Sequence, residues 1–314
     1  MKPIKTIVAA TDFSENADAA LAEAVRIAKC NGAALHVVHV LDEQVVNEIG
    51  QQLSGNDPNV RELIFQEANA DWDRVARRIP GATEANFEVR IAHRVRGILG
   101  FASGRHADLL VIGAVGDRTP HVGLGTVATA CVRKAASDVL IVRGHHTGPF
   151  TRVLAAVDFS DTSRKALEAA IGIAVQDGAE LDIVHVAPTY ANLWPYPWTL
   201  NEQVRAALDP MPSEIAARLD AICEPLAGEL SRVRSSRSVV QQHGSIGRTL
   251  IDWAESKEVQ LIVLGTRGKT NLRDMLWGST AERVLSDSSC SVYAVKPAGF
   301  AHPLAAPETP PSPK

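Results

Sequence analysis

An internal repeat constrains the fold of this chain more than any other feature of its sequence. Residues 5–40 align without a gap onto residues 151–186. The segment Ala-Ala-Thr-Asp-Phe-Ser at 9–14 matches Ala-Ala-Val-Asp-Phe-Ser at 155–160, and Val-His-Val recurs at 38–40 and 184–186. A shared apolar period alone would not reproduce such specific residues at equal separation, so we interpret the chain as a tandem duplication. Its 314 residues are also sufficient for two domains.

Each copy alternates predicted strands with predicted helices. The helix after the first strand has an apolar face and a glycine stop at Gly32 or Gly178. These faces comprise Ala17, Ala20, Leu21, Ala24 and Ala28, and Ala166, Leu167, Ala170, Ile171 and Ala174. The predicted strands are Thr6–Ala10, Ala34–Val40, Phe87–Ile91, Leu109–Gly113 and Val139–Val142, then Arg152–Ala156, Glu180–Val186, Val239–Gln242, Leu261–Gly265 and Val292–Val295. The alternation predicts an α/β chain of two tandem, doubly wound domains, each with a parallel sheet covered on both faces.

The predicted domains span residues 1–146 and 150–297, with a short linker that contains His, Gly and Pro between them. Residues 298–314 are rich in proline, and we expect a disordered tail there. Two similar domains tend to pack about a pseudo-two-fold axis, so we expect an intramolecular pseudo-dimer, and a homodimer is a further possibility.

Composition and charge exclude several classes of partner. The net charge is −4, which gives no general attraction to nucleic acid or to anionic membranes. No apolar run approaches the ~18 residues of a spanning helix, so we expect no membrane insertion. The first predicted strand begins within a few residues of Met1, and we therefore expect no signal peptide and a cytoplasmic location. The four cysteines form no Cys-x-x-Cys pair, which favours reduced thiols over a zinc site.

A glycine motif follows the fourth strand of the second copy. It reads Gly265-Thr266-Arg267-Gly268, then nine residues, then Gly278-Ser279-Thr280. Glycines allow close backbone approach and positive φ angles. We expect Ser279 to cap a helix, with Glu282 completing a capping box. Free N–H groups and hydroxyls at such a helix start bind phosphates, and Asp158 at the end of the first strand would face the same crevice.

Two other nucleotide-binding motifs are absent from the sequence. A P-loop requires a glycine five positions before Gly268, where Val263 stands inside a strand. No Gly-x-Gly-x-x-Gly segment follows a first strand, so the dinucleotide-binding signature is also missing.

The first-strand Asp158 together with Gly-x-x-Gly-x9-Gly-Ser resembles the universal stress protein family, and the resemblance to its tandem form covers nearly all of residues 1–297. It implies five-stranded parallel sheets of a Rossmann-like, adenine nucleotide alpha hydrolase-like type, and ATP bound with Mg²⁺ without a dedicated catalytic base. By position it places Ala156, Val157 and Asp158 near the base and ribose, Val186 against adenine, and Gly265, Arg267, Gly268, Gly278, Ser279 and Thr280 around the ribose and phosphates. One departure is that Asp138 and Ser291 stand where the family often has proline before the last strand.

The first copy departs further from this pattern. It reads Gly113-Ala114-Val115-Gly116, then eight residues, then Gly125-Thr126-Val127. One residue is missing between the glycines, Val115 replaces Arg267, and Val127 replaces a hydroxyl. Thr129 stands where the capping glutamate would be. We therefore expect a weakened or lost phosphate site, although Gly123 offers some compensation for the shorter loop.

Several other residues have ordinary structural interpretations. His39 and His185 occupy equivalent strand positions, and we expect hydrogen-bonded sheet histidines there. The linker pair His145–His146 indicates casual metal affinity at most. Arg232, Arg234 and Arg237 indicate a solvated face. The aromatic stretch Trp194–Trp198 is typical of an interface, a lid or a small satellite core.

Three functional classes remain open at this point. The first is a nucleotide-binding regulatory protein of the stress response, and the second is an interaction or assembly module that binds no nucleotide. The third is a slow ATPase or self-phosphorylating protein. The sequence places no general base and no Walker-type lysine, which argues against a dedicated enzyme.

Overall fold

The computed structural model describes residues 3–52, 59–116, 123–144, 148–188, 201–204, 212–268 and 278–300. Three sequence predictions lie outside these residues: the aromatic stretch 194–198, the histidine pair 145–146, and the part of the tail at 301–314. The chain divides into two compact units, which comprise residues 2–148 and 149–297. Each unit is described by itself below.

The first unit alternates strands and helices around one sheet. In chain order it contains β1 (Thr6–Thr11), α1 (Glu15–Asn31), β2 (Ala34–Asp42), α2 (Glu43–Gln52), α3 (Asn59–Arg78), β3 (Asn86–Ala92), α4 (Arg94–Gly104), β4 (Leu109–Gly113), α5 (Thr126–Lys134) and β5 (Asp138–Val142). A 3-10 turn, Ala82–Glu84, precedes β3. The five strands are parallel in the order β3-β2-β1-β4-β5.

The second unit repeats this arrangement. It contains β6 (Arg152–Ala156), α6 (Asp161–Asp177), β7 (Glu180–Ala187), α7 (Pro212–Cys223), α8 (Ala227–Leu230), β8 (Ser235–Gln241), α9 (Ile246–Ser256), β9 (Leu261–Gly265), α10 (Ser279–Asp287) and β10 (Ser291–Val295). Its strands are parallel in the order β8-β7-β6-β9-β10. The predicted tandem α/β architecture is therefore confirmed.

The core of each unit lies on both faces of the central strands. In the second unit, Val153–Ala155 and Leu261–Val263 have no exposed surface, as expected for parallel strands covered on both sides. All ten apolar positions predicted for the faces of α1 and α6 are buried. Among the described residues, no helix is both long enough and apolar enough to cross a membrane.

The first helix of each unit is capped at both ends. Ser14 and Ser160 are the N-caps, and their hydroxyls accept hydrogen bonds from the N–H groups of Ala17 and Ser163. Gly32 and Gly178 end the helices with φ of 60° and 68°, as predicted from the glycine stops. The capped helix start fixes the direction in which the chain leaves β1 or β6, which positions the aspartate between strand and helix.

Strand β8 begins four residues earlier than predicted. Its first residues are polar and exposed, so their sequence lacks the apolar signal of a strand. They are nevertheless held in register against β7, with Ser235 opposite Leu181. The neighbouring Arg234 and Arg237 are exposed and form ion pairs with Glu180 and Asp220, which agrees with the predicted solvated face.

Candidate functional site

A cavity of about 430 Å³ lies at the carboxyl ends of the central strands of the second unit. Such crevices are where open parallel sheets bind ligands. All ten residues that the resemblance placed around a nucleotide line this single cavity: Ala156, Val157, Asp158, Val186, Gly265, Arg267, Gly268, Gly278, Ser279 and Thr280. They come from the ends of β6, β7 and β9 and from the start of α10. The fold therefore brings together residues that are more than 120 positions apart in sequence.

Asp158 is held in place by the turn that joins β6 to α6. Its Oδ1 accepts a hydrogen bond of 3.0 Å from the backbone N–H of Ser160, the N-cap of α6. Its Oδ2 lies against the backbone of Gly268, so that a Cβ at Gly268 would stand 2.5 Å from this oxygen. Gly268 is therefore required because the carboxylate occupies the space of a side chain.

Of the two properties that glycine allows, positive φ angles are not found at the glycines of this motif. Gly265, Gly268 and Gly278 are absent from the residues with positive φ, and Gly278 has φ of −81°. Close approach explains Gly265 instead, because a Cβ there would lie 2.9 Å from the Thr162 Cγ2 of α6. Gly278 has room for a Cβ, whose nearest neighbour would be the Thr266 carbonyl oxygen at 3.9 Å.

The predicted capping box at Ser279 and Glu282 is wrong. Gly278 is the N-cap of α10, Ser279 is already the first helical residue, and no side chain of the described residues is found to cap this helix. The N–H of Glu282 donates to the Gly278 carbonyl at 3.0 Å, and the N–H of Gly278 donates to the Thr266 carbonyl at 2.9 Å. The box requires a hydroxyl at the N-cap position, and glycine has none. The first turn of α10 therefore presents uncapped N–H groups along the cavity wall.

The rim of the cavity includes residues that the sequence did not identify. Phe159 has φ of 64°, a left-handed conformation that is rare for a bulky residue, and its ring lies 4.4 Å from the His185 ring. His185 Nδ1 is 2.7 Å from the Val157 carbonyl oxygen, which can only accept, so Nδ1 carries the proton. This confirms the expected hydrogen-bonded sheet histidine.

Arg218 of α7 adds a cation at this rim. Its guanidinium carbon lies 4.4 Å from the centroid of the Phe159 ring, and the side chain lines the cavity. No motif surrounds Arg218 in the sequence, because its position depends on how α7 packs on the sheet. With Arg267 it gives the described wall of this cavity two arginines against one carboxylate, that of Asp158. This balance, together with the hydroxyls and the uncapped helix start, suits an anion.

The first unit has an equivalent cavity of about 470 Å³. Asp12 Oδ1 accepts hydrogen bonds from the Ser14 N–H at 3.1 Å and from the Ser14 hydroxyl at 2.6 Å. A Cβ at Gly116 would overlap Asp12 Oδ2, as at Gly268. Gly125 is the N-cap of α5 and donates to the Ala114 carbonyl at 2.7 Å, so the backbone scaffold persists despite the missing residue. The side chains differ, and the weakened phosphate site stays a prediction on that basis.

No group of three or more His, Cys, Asp or Glu side chains able to hold a metal ion occurs within the part of the chain that the structure describes. Its four cysteines, two of them buried, form no disulfide.

Comparison with known proteins identifies the family. A model of the universal stress protein family matches residues 3–143 and again residues 149–296. A universal stress protein from Mycolicibacterium smegmatis is 26% identical over 305 residues, which cover 93% of this chain and 97% of the relative. Universal stress protein YxiE from Bacillus subtilis is 29% identical over 147 residues, 47% of this chain and 99% of that protein.

A solved structure agrees with this assignment at the level of the fold. The crystal structure of a universal stress protein from Archaeoglobus fulgidus covers 93% of this chain with a TM-score of 0.66 at 21% identity, and 98% of that chain is covered. The family model matches both halves separately, and each half forms the same five-stranded parallel sheet. The chain therefore belongs to the universal stress protein family, in a tandem form with two family domains.

Proposed function

We propose that the second domain binds an adenine nucleotide, ATP with Mg²⁺, and that the chain acts as a nucleotide-dependent regulatory or sensing module of the stress response. One observation carries the proposal: residues from four separate segments line a single cavity, and an uncapped helix start forms part of its wall. A cavity of this volume is within the usual range for small-molecule sites.

The phosphates would lie at the start of α10. Ser279 and Thr280 supply hydroxyl donors there, the first-turn N–H groups supply backbone donors, and Arg267 supplies a positive charge. The absence of a side chain at Gly278 keeps this helix start accessible to a bulky anion. Phosphate recognition therefore uses backbone and side-chain donors together.

The nucleoside would extend from there across the ends of β6 and β7. The Asp158 carboxylate can accept hydrogen bonds from ribose hydroxyls, because the Ser160 N–H engages only one of its oxygens. Val186, Ile246 and Leu250 provide apolar surface for the base. These residues can thus hold and orient a nucleoside without chemical reaction.

Mg²⁺ would bind together with the phosphates of the nucleotide. Mg²⁺ in nucleotide sites is commonly held by phosphate oxygens, water and one or two carboxylates, and the described cavity wall contains the single carboxylate of Asp158. Among the described lining residues, no second carboxylate accompanies Asp158 to serve as a general base. This supports binding over turnover, which is why sensing is favoured over the ATPase alternative.

The test is a comparison of matched glycine variants. Gly278→Val should lower ATP affinity about tenfold or more, because the new side chain would stand between the helix start and the phosphates; tenfold corresponds to about 1.4 kcal/mol. Gly125→Val, the equivalent change in the first domain, should leave ATP affinity nearly unchanged. Isothermal titration calorimetry with Mg²⁺–ATP measures both, after circular dichroism has shown that each variant is folded.

Two results would contradict the proposal, and each would contradict a different part of it. Equal ATP affinities in the two folded variants would remove the second domain as the nucleotide site. If the wild-type chain neither binds ATP nor retains a nucleotide on purification, the interaction-module alternative replaces the proposal.

A further inference from the structure

The first-domain cavity has the size of a ligand site but a different chemistry from its counterpart. It is at least as large as the second cavity, at about 470 Å³ against about 430 Å³. It also keeps the same fixed aspartate, Asp12, beside a glycine that leaves room for the carboxylate. The duplication has thus preserved the scaffold of the pocket while its lining side chains have changed.

The end of this cavity at the start of α5 has lost its phosphate-binding side chains. Val115 stands at the position of Arg267 and is 7% exposed, so it offers an apolar surface. Val127 likewise replaces the hydroxyl of Thr280. A phosphate chain placed here would lose one positive charge and one hydroxyl donor.

Another part of the same cavity has gained polar groups. Arg94, the first residue of α4, and Asp42, the last residue of β2, both line the cavity. Ile246 and Pro188 occupy the equivalent positions of the second domain. Arg94 Nε forms an ion pair with Asp42 Oδ2 at 3.4 Å, Asp42 Oδ1 accepts a hydrogen bond from the Gln44 N–H at 3.1 Å, and the side chains of Arg94 and Asp42 are partly exposed. A carboxylate has about four acceptor sites and a guanidinium has five N–H donors, so the pair retains the capacity to bind a third molecule.

The charges on the described lining residues give the two cavities balances of opposite sign. Among the described lining residues, the first cavity has two aspartates and one arginine, whereas the second has one aspartate and two arginines. Burial lowers the pKa of His39, which also lines the first cavity, so its imidazole adds no positive charge near neutral pH. A polyanion is therefore disfavoured in the first cavity, and an uncharged ligand is not.

We propose that the first-domain cavity binds an uncharged ribonucleoside, with its ribose on Asp12 and the polar edge of its base on Arg94 and Asp42. A purine edge presents donors and acceptors side by side, which match the carboxylate and guanidinium of this pair. The proposal rests on the proposed function in one respect, that the aspartate after the first strand is the ribose ligand. The protein would then bind a phosphorylated nucleoside in its second domain and an unphosphorylated nucleoside in its first domain.

The experiment uses the full chain with Asp158→Ala and Gly278→Val, which together remove the proposed ribose ligand and obstruct the proposed phosphate end of the second-domain site. Adenosine and guanosine are titrated by calorimetry, and one of them should bind with about one site per chain. Adding Arg94→Ile, which installs the second-domain residue, should weaken that binding about tenfold. Arg96→Ile is the matched control, because Arg96 is exposed on the same helix and is not among the described lining residues; it should leave the affinity unchanged.

The outcomes separate this inference from the proposed function. Absence of binding by both nucleosides, or equal affinities with and without Arg94→Ile, overturns the inference. Mg²⁺–ATP binding to the chain with Asp158→Ala and Gly278→Val as tightly as the nucleoside also overturns it. Failure of ATP to bind the wild-type chain defeats only the proposed function, since nucleoside binding that depends on Arg94 would still support the inference.

Discussion

Gly268 and Gly116 show how a glycine can be required by a neighbouring side chain. Each lies under the carboxylate of the aspartate that follows the first strand of its domain, and a Cβ at either position would meet Oδ2 of that aspartate. Backbone conformation is not the reason, because neither glycine has a positive φ. The glycine and the aspartate therefore form one unit, although they are separated by about a hundred residues in each copy.

Gly268→Ala is expected to weaken ATP binding by displacing Asp158. The carboxylate would have to leave the hydrogen bond from the Ser160 N–H, so the loss should be about 1–2 kcal/mol, comparable to the loss of one or two hydrogen bonds. Calorimetry with Mg²⁺–ATP measures it. Gly116→Ala is the matched control and should leave ATP binding unchanged, since the proposed ATP site is in the other domain. Unchanged ATP affinity in Gly268→Ala would show that the position of the carboxylate is unimportant.

At the scale of elements, the first helix of each domain and the helix after its fourth strand start in different ways. Helices α1 and α6 are closed by Ser14 and Ser160, which satisfy first-turn N–H groups and stabilise the helix. Helices α5 and α10 have Gly125 and Gly278 as their N-caps, and glycine has no side chain that can form a cap. A helix start without a side chain at the N-cap position is available to a ligand, and the first residues of α5 and α10 both line a cavity.

The two serine caps should differ in their contribution to stability. Ser160→Ala should lower the free energy of unfolding of the second domain by about 1 kcal/mol, the usual value of such a cap. Ser14→Ala should cost the first domain about 2 kcal/mol, because the buried Ser14 hydroxyl also donates to Asp12 at 2.6 Å. Peptide-resolved hydrogen exchange in urea reports the two domains separately. A smaller loss in Ser14→Ala than in Ser160→Ala would contradict this account.

At the scale of the whole molecule, two copies of one scaffold have diverged in the charges of their cavities. The first cavity is lined by Asp12, Asp42 and Arg94, and the second by Asp158, Arg218 and Arg267. Strand order, helix caps and the fixed aspartate are shared. The two domains thus share the framework of the cavity and differ in the charged side chains that line it.

ATP should stabilise the two domains unequally. A ligand at a hundred times its dissociation constant stabilises the state it binds by about 2.7 kcal/mol. We therefore expect Mg²⁺–ATP to raise the protection of amides in β6, β9 and α10 strongly and those in β1, β4 and α5 little. Peptide-resolved hydrogen exchange of the full chain with and without nucleotide measures this difference. An equal gain in both domains would contradict the assignment of ATP to the second.

Sequence reasoning was reliable where the signal is local and periodic. The repeat follows from matched residues at equal separation, the ten strands and the buried faces of α1 and α6 follow from the pattern of apolar residues, and the structure confirms them. The exposed start of β8 was missed because its residues are polar, and pairing with β7 alone defines it. The glycine motif lies at the cavity as predicted. The N-cap of α10 is Gly278, one position before Ser279, so the predicted capping box does not form.

The sequence by itself determined the tandem α/β architecture and the segments that meet at each cavity, because the alternation of strands and helices and the glycine spacing can be read along the chain. Only the tertiary structure decided why Gly268 is a glycine and which residue is the N-cap of α10. It also decided that Arg94 and Arg218 line cavities whose described residues have opposite charge balances. These properties depend on contacts between residues far apart in sequence. Local periodicity carries no information about such contacts, since they arise only when the helices pack against the sheet.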